Sequence, residues 1–466
     1  MEPRTRTALA AVTALLLLAG SAGCTGGADG GVRGTPGAAG LRDPYFPKLG
    51  NGGYDVRHYG LKLAYDPASG RLDATADIEA RATQDLSAFN LDLDGLTVGR
   101  ATVDGAPAAV NRAGTELTLR PREDIDEGQV FRTTVAYYGV PRTITDADGA
   151  GEGWLRTKDG ALALGEPVGS MAWFPGNHHP SDKATYDITL TVPEGLRAIS
   201  NGVLRGERTA NGRTTAVWHS AEPMASYLAT AAIGRYRTST TTTPSGVSVL
   251  TAADPAVADE SAELLARIPE LLEWQQENFG PYPFSATGAI VEPAGDADYA
   301  LETQTRPVFP LDSFDAPTLV HELAHQWFGD SVSPATWRDM WLNESFATYA
   351  EWLYAEDFED TPARVSFDKA FGEDANWAFP PAEPPKAENL FDPPVYQRGA
   401  MVLHKIRETV GDDTFYEILA GWPAKYRHGN ASTEDFTAYV EDVAGEDLSA
   451  LWDVWLYGDD KPERPR

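Results

Sequence analysis

The stretch "HELAHQWFGD", residues 321–330, puts two histidines four residues apart with a glutamate directly after the first. Just upstream, Asp315 is a good helix cap and Pro317 suits a first helical turn, so the pattern predicts a helix over 315–328. On a helix, His321 and His325 stand one turn apart on the same face and can share one metal ion. A catalytic zinc site needs a third protein ligand and an open fourth position. "WLNESFATYAEW" offers that ligand. Glu344 follows His325 after 18 residues, room for a helix end, a loop and the start of a second helix predicted over 343–357. An antiparallel helix pair would set Glu344 beside the two imidazoles. Glu322 projects about 100° away from His321. It is therefore read as the general base, close enough to an attacking water to take its proton and return it to the leaving amine. Two histidines on an apolar helix can also be ordinary core residues. The acidic residues in both required places favour one Zn2+ per chain, bound by His321, His325 and Glu344.

The rest of the 466-residue chain is too long for one core and implies at least two domains. A net charge of −31 argues against nucleic acid, which needs a basic patch, and otherwise reads as solubility. The single cysteine, Cys24, rules out a disulfide within the chain. Arg4 and Arg6 precede an apolar run, Ala8 to Leu18, too short to span a bilayer, and "GSAGC" follows. Residues 1–24 thus read as an export signal of lipoprotein type with Cys24 as the lipidated residue. Ser21 stands where such sites usually carry an aliphatic, so plain secretion is the alternative. The expected location is the outer face of the cell membrane, with membrane contact only through that anchor. Residues 25–41 are glycine-rich and aperiodic, the composition of a flexible tether.

From Tyr54 the texture alternates. "YDVRHYGLKLAY", "RLDATADIEARATQ", "TELTLRP", "VFRTTVAYYG" and "ATYDITLTVP" carry the period-two signature of half-buried strands. Residues 42–240 therefore read as an all-β domain of layered sheets. After 240, "PAVADESAELLARIPELLEWQQENFG" has helical spacing. "GAIVEP" and "ALETQTRPVF" look like short strands, and the remainder to 460 is mainly helical. The fold class is multi-domain α+β, with a mostly helical metal-site domain second.

On these motifs the chain resembles the aminopeptidase N family of zinc metallopeptidases, the gluzincins that include leukotriene hydrolase. "HELAHQWFGD" and "LNESFATYAE" look like its zinc signature; "YDVRHYGLKLAYD" and "FPGNHHPSDKATYDITLTVPEGLRAISNG" look like parts of its N-terminal domain, with "NHH" in place of the usual acidic pair. The resemblance implies a thermolysin-like second domain and an aminopeptidase acting on peptides with a free N-terminus. It implies three further site residues. Tyr396 in "PPVYQRGAMVLH" matches the tyrosine that stabilises the oxyanion. Glu302 in "YALETQTRPVF" matches the glutamate of the GAMEN motif, which binds the substrate amine, although Tyr299, Leu301 and Thr303 replace the motif's glycine, methionine and asparagine. The segment around it is expected to pair with the substrate backbone as a strand edge. Glu166 in "LALGEPVGSMAWFPG" matches a second amine anchor. About 120 residues follow Glu344, fewer than the family's C-terminal helical domain requires, which implies a more open cleft or a dimer that covers it. The alternatives are a zinc endopeptidase and a catalytically silent peptide-binding lipoprotein on the same scaffold. Thr348, one turn beyond Glu344, is a weak candidate to orient a ligand histidine.

Overall fold

The computed structural model describes residues 34–145 and 149–463. The segment expected to be an export signal, with Cys24, lies outside the described residues. The expected tether over 25–41 ends early. Thr35–Pro36 form a short strand parallel to Leu86–Asp92, and the Gly37 N–H donates to the Ala88 carbonyl. Backbone pairing, not apolar periodicity, orders this glycine-rich segment, which is why composition alone misreads it.

Among the described residues the N-terminal half is built from three sheets. The largest, with eight strands, runs Val203–Ala210, Arg213–Ala225, Lys183–Pro193, Tyr54–Asp66, Arg71–Ala82, Val130–Gly139, Thr97–Val103 and Ala106–Pro107 across its width. Tyr54–Asp66 shows why these segments are strands. Val56, Tyr59, Leu61, Leu63 and Tyr65 alternate inward and are buried, while the residues between them face out. Tyr65 meets Trp154 of the five-stranded sheet with ring centroids 5.1 Å apart, and Phe131 meets Phe89 of the four-stranded sheet at 5.1 Å. The large sheet therefore shares its core with both smaller ones, the layered arrangement the alternation implies. His178 and His179 of "NHH" are satisfied core residues here. His178 bonds Ser226 and the Phe174 carbonyl, and His179 bonds Asp43.

The second half opens with a four-stranded sheet, Arg237–Thr242, Ser248–Ala253, Ala286–Glu292 and Val308–Pro310. The helices follow: α1 (Ala258–Leu265), α2 (Ile268–Phe279), α3 (Ala316–Ala324), α4 (Trp341–Phe358), α5 (Ala363–Gly372), α6 (Gly399–Val410), α7 (Asp412–Lys425) and α8 (Thr433–Ala444). Pro269, early in α2, divides the long helical pattern into α1 and α2. "ALETQTRPVF" is not a strand until Val308. Before it, only Leu301 bridges Val308, and Thr305 takes a positive φ of 67° that no strand allows. Asp43 ties the halves together by accepting the Trp337 N–H at 2.9 Å.

Candidate metal centre and cleft

Helix α3 begins as the sequence requires. The Asp315 side chain accepts the Thr318 N–H at 2.9 Å, and Pro317 occupies the first turn. The helix stops early, with His325 as its last capping residue, and Gly329 at φ 132° turns the chain beneath it. Helix α4 packs on α3 and carries Glu344 in its first turn. The Glu344 Oε2 lies 3.2 Å from His321 Nε2 and 3.4 Å from His325 Nε2. Ligand atoms 2.0–2.1 Å from a tetrahedral ion stand about 3.3 Å apart, so these three side chains fit zinc closely.

Other groups fix the imidazoles. The His321 Nδ1 is 2.6 Å from Glu351 Oε1, and the His325 Nδ1 is 3.0 Å from the Phe328 carbonyl. Each contact leaves Nε2 pointing at the shared gap. Thr348 does not serve as expected, since its hydroxyl meets no partner among the described residues. The sequence reading missed Glu351, yet its signal was there. Glu351 lies seven positions after Glu344, two turns along the same helical face.

Four acids converge on the cleft. Glu166, Glu302, Glu322 and Glu344 are 6, 2, 5 and 3% exposed. One carboxylate oxygen each of Glu166, Glu302 and Glu344 lie within 4.8 Å of one another, as do ligand atoms of Glu302, Glu322 and His325. Oε1 of Glu166, Oε1 of Glu302 and Oε2 of Glu322 are buried without a hydrogen-bond partner. Burial pushes the Glu322 carboxyl up to about 8, and burial with the neighbouring Glu302 raises Glu166 well above the usual carboxyl range. Burial opposes the His325 imidazolium, but Glu302 and Glu344 outweigh it and hold its pKa at about 9; the two histidines in turn pull Glu344 down to about 2 against its burial. A divalent cation in the gap would reverse this for the histidines, which ligate only when neutral.

Both halves contribute to this cleft of about 520 Å³. Glu166 follows the strand Ala161–Leu164 across Gly165, where a Cβ would lie 2.3 Å from the Tyr227 carbonyl. Only glycine permits that approach. Tyr299, which stands in the glycine position of the motif, lines the cleft and donates its hydroxyl to the Glu166 carbonyl at 3.1 Å. Glu302 is held by Gln326, whose amide donates to the Glu302 carbonyl at 3.2 Å and accepts the Thr305 N–H at 2.7 Å. The Glu302 carbonyl is thus held by a side chain and not by a neighbouring strand. Gln326 is a second positioning residue the sequence reading missed; its place beside His325 was the clue. Tyr396 sits on a π-helical turn, Pro394–Arg398, with its ring stacked 6.1 Å from His321. Burial and the surrounding glutamates raise its phenol well above the usual range and keep it a neutral O–H donor. Ser345 bonds the Val395 carbonyl of that turn at 2.8 Å.

Residues 56–228 match the Peptidase M1 N-terminal domain, and residues 315–455 match the Peptidase family M1 domain. The chain belongs to peptidase family M1. It is 29% identical to Aminopeptidase M1 of Arabidopsis thaliana over 89% of this chain and 51% of that protein, and 28% identical to Aminopeptidase M1-A of Oryza sativa subsp. japonica over 86% and 50%. It spans about half the length of these curated M1 relatives. The M1 zinc metallopeptidase of Deinococcus radiodurans superposes with a TM-score of 0.86 at 28% identity, covering 92% of this chain and 99% of that one. A mutant of that enzyme has been solved with Tyr-Ser-Ala substrate. The two M1 domains follow the order and fold class expected from the alternating texture of the first half and the helical spacing of the second.

Proposed function

We propose that this chain is a zinc-dependent aminopeptidase that removes N-terminal residues from peptides. The observation that carries the reading is the pair of buried carboxylates, Glu166 and Glu302, each with an unpartnered oxygen, within 4.8 Å of a Glu344 oxygen. A buried carboxyl oxygen without a partner is costly, and a substrate ammonium supplies the missing partner. The cations of a peptide interior stand on side chains, so only its N-terminus brings an ammonium directly beside a scissile bond. The tripeptide bound by the Deinococcus relative supports the substrate class.

His321, His325 and Glu344 would hold the zinc, which when bound supplies Lewis acidity to the scissile carbonyl and the attacking water. Glu166 and Glu302 grip the ammonium and so fix the first carbonyl at a set distance from the ligand triad. Glu322 accepts the proton of the attacking water and delivers it to the departing amine. Tyr396 donates its phenolic hydrogen to the developing oxyanion. Glu351 and the Phe328 carbonyl keep the two imidazoles oriented throughout.

The test is a matched pair of aminoacyl arylamides, one with a free amine and one N-acetylated. The free substrate is cleaved and the acetylated one is not. Equal cleavage of both would replace this reading with an endopeptidase. We further propose that the mature protein is exported and tethered through lipid on Cys24, on the strength of the charged, apolar and small-residue order of residues 1–24. Mass spectrometry of the N-terminal peptide from the native host checks it; an unmodified Cys24, or a chain cleaved elsewhere, rejects the anchor.

A further inference from the structure

The cleft holds more carboxyl groups than the His–His–Glu centre uses. Glu344 is shared with the two histidines, but Glu166, Glu302 and Glu322 add three more buried acids around the same space. The oxygens of Glu166, Glu302 and Glu344 that lie within 4.8 Å of one another form a donor set without nitrogen. Three oxygens spread evenly round an ion with bonds of 2.3–2.6 Å stand about 4.0–4.5 Å apart, a spacing compatible with the mutual approach of this trio, so the three can hold a single cation. The trio is also held in place. Tyr299 fixes the Glu166 backbone, Gln326 fixes that of Glu302, and the helix pair fixes Glu344. The buried Oε1 atoms of Glu166 and Glu302 have no other partner.

We propose that a second, hard divalent cation binds among Glu166, Glu302 and Glu344, beside the His–His–Glu centre, and competes there with the substrate ammonium. Glu344 then serves both ions. Oxygen-only sites suit Mn2+, Mg2+ and Ca2+, whereas the neighbouring two-nitrogen set suits zinc, so the two positions differ in preference. Metal in excess of one equivalent would act as a competitive inhibitor, and free peptide amine would expel it. The competition rests on the aminopeptidase reading; the binding of the second ion does not. The surface acids Asp159, Asp254 and Asp296 do not offer a comparable site, because their buried neighbour Glu292 is engaged by the Tyr236 hydroxyl.

The experiment loads the protein with one equivalent of zinc, then titrates Mn2+ and follows the free ion by electron paramagnetic resonance. One Mn2+ binds per chain, and L-phenylalaninamide releases it. Glu166→Gln and Glu302→Gln, checked for folding by circular dichroism, keep their zinc but bind Mn2+ roughly tenfold or more weakly. Absence of Mn2+ binding to the zinc-loaded protein would overturn the proposal. So would Mn2+ binding that both variants leave unchanged, or that the amide does not displace. A parallel hydrolysis assay without Mn2+ separates the two readings: failure there sinks the peptidase function while the Mn2+ count still stands.

Discussion

Replacing Glu351 should loosen the metal without touching any of its ligands. Its carboxylate receives the His321 Nδ1 hydrogen at 2.6 Å, as short as charge-assisted bonds become. Such a bond is worth about 1.5–3 kcal/mol when buried. The Glu351 side chain is 30% exposed, so solvent screening brings the figure to about 1–2 kcal/mol. That corresponds to a roughly 5- to 30-fold loss of zinc affinity at 1.4 kcal/mol per decade, in line with outer-sphere effects on other metal sites. Glu351→Gln retains a neutral acceptor and should fall at the lower end, while Glu351→Leu removes the acceptor and should reach the upper end. Competition with a chelator of known affinity at neutral pH measures both. A Glu351→Leu variant that folds and binds zinc within twofold of the parent would refute the claim that this carboxylate orients His321.

Glu322→Gln should retain zinc and lower kcat by roughly 10²–10⁴-fold, the usual range for general acid–base catalysis; steady-state kinetics with metal analysis on the same sample checks it. Tyr396→Phe should lower kcat by roughly 10²–10³-fold with little change in KM, as loss of an oxyanion donor does. Gly399→Ala should destabilise the fold and misplace Tyr396, because the added Cβ would sit 1.6 Å from Ser345 Oγ; a thermal melt and the residual kcat report the two effects. His178 is buried with a pKa held down at about 4 by its burial. Below pH 6.5 the unfolded chain takes up a proton that the folded site refuses, so stability falls as pH drops from 6.5 toward 4. Denaturant titrations should show His178→Gln losing about 1.5 kcal/mol less than the parent between pH 6.5 and 5.

The clustering of His321, His325 and Glu344 was legible because helical periodicity converts sequence spacing directly into geometry. His321 and His325 needed only one turn, and Glu344 needed only a second helix packed on the first. The large sheet was legible for a parallel reason, since each strand buries alternate residues. Glu166 and Glu302 are different. They come from irregular segments separated by more than a hundred residues, and only family resemblance brought them together. Their supports, Tyr299 and Gln326, act through backbone carbonyls, which leave no trace in side-chain patterning. Glu351 falls between these cases: its helical register was readable, but nothing in the sequence said that its carboxylate turns toward His321 and not toward solvent. The failed strand around Glu302 has a physical cause too, because the positive φ at Thr305 breaks a segment whose apolar residues otherwise suggest an edge.

Anomalous diffraction at the zinc edge, on crystals grown with one equivalent of metal, tests the centre of the account. It should show a single peak bounded by His321 Nε2, His325 Nε2 and a Glu344 oxygen, at about 2.0–2.2 Å from each. A peak elsewhere, or Glu344 swung away from the two imidazoles, would contradict it.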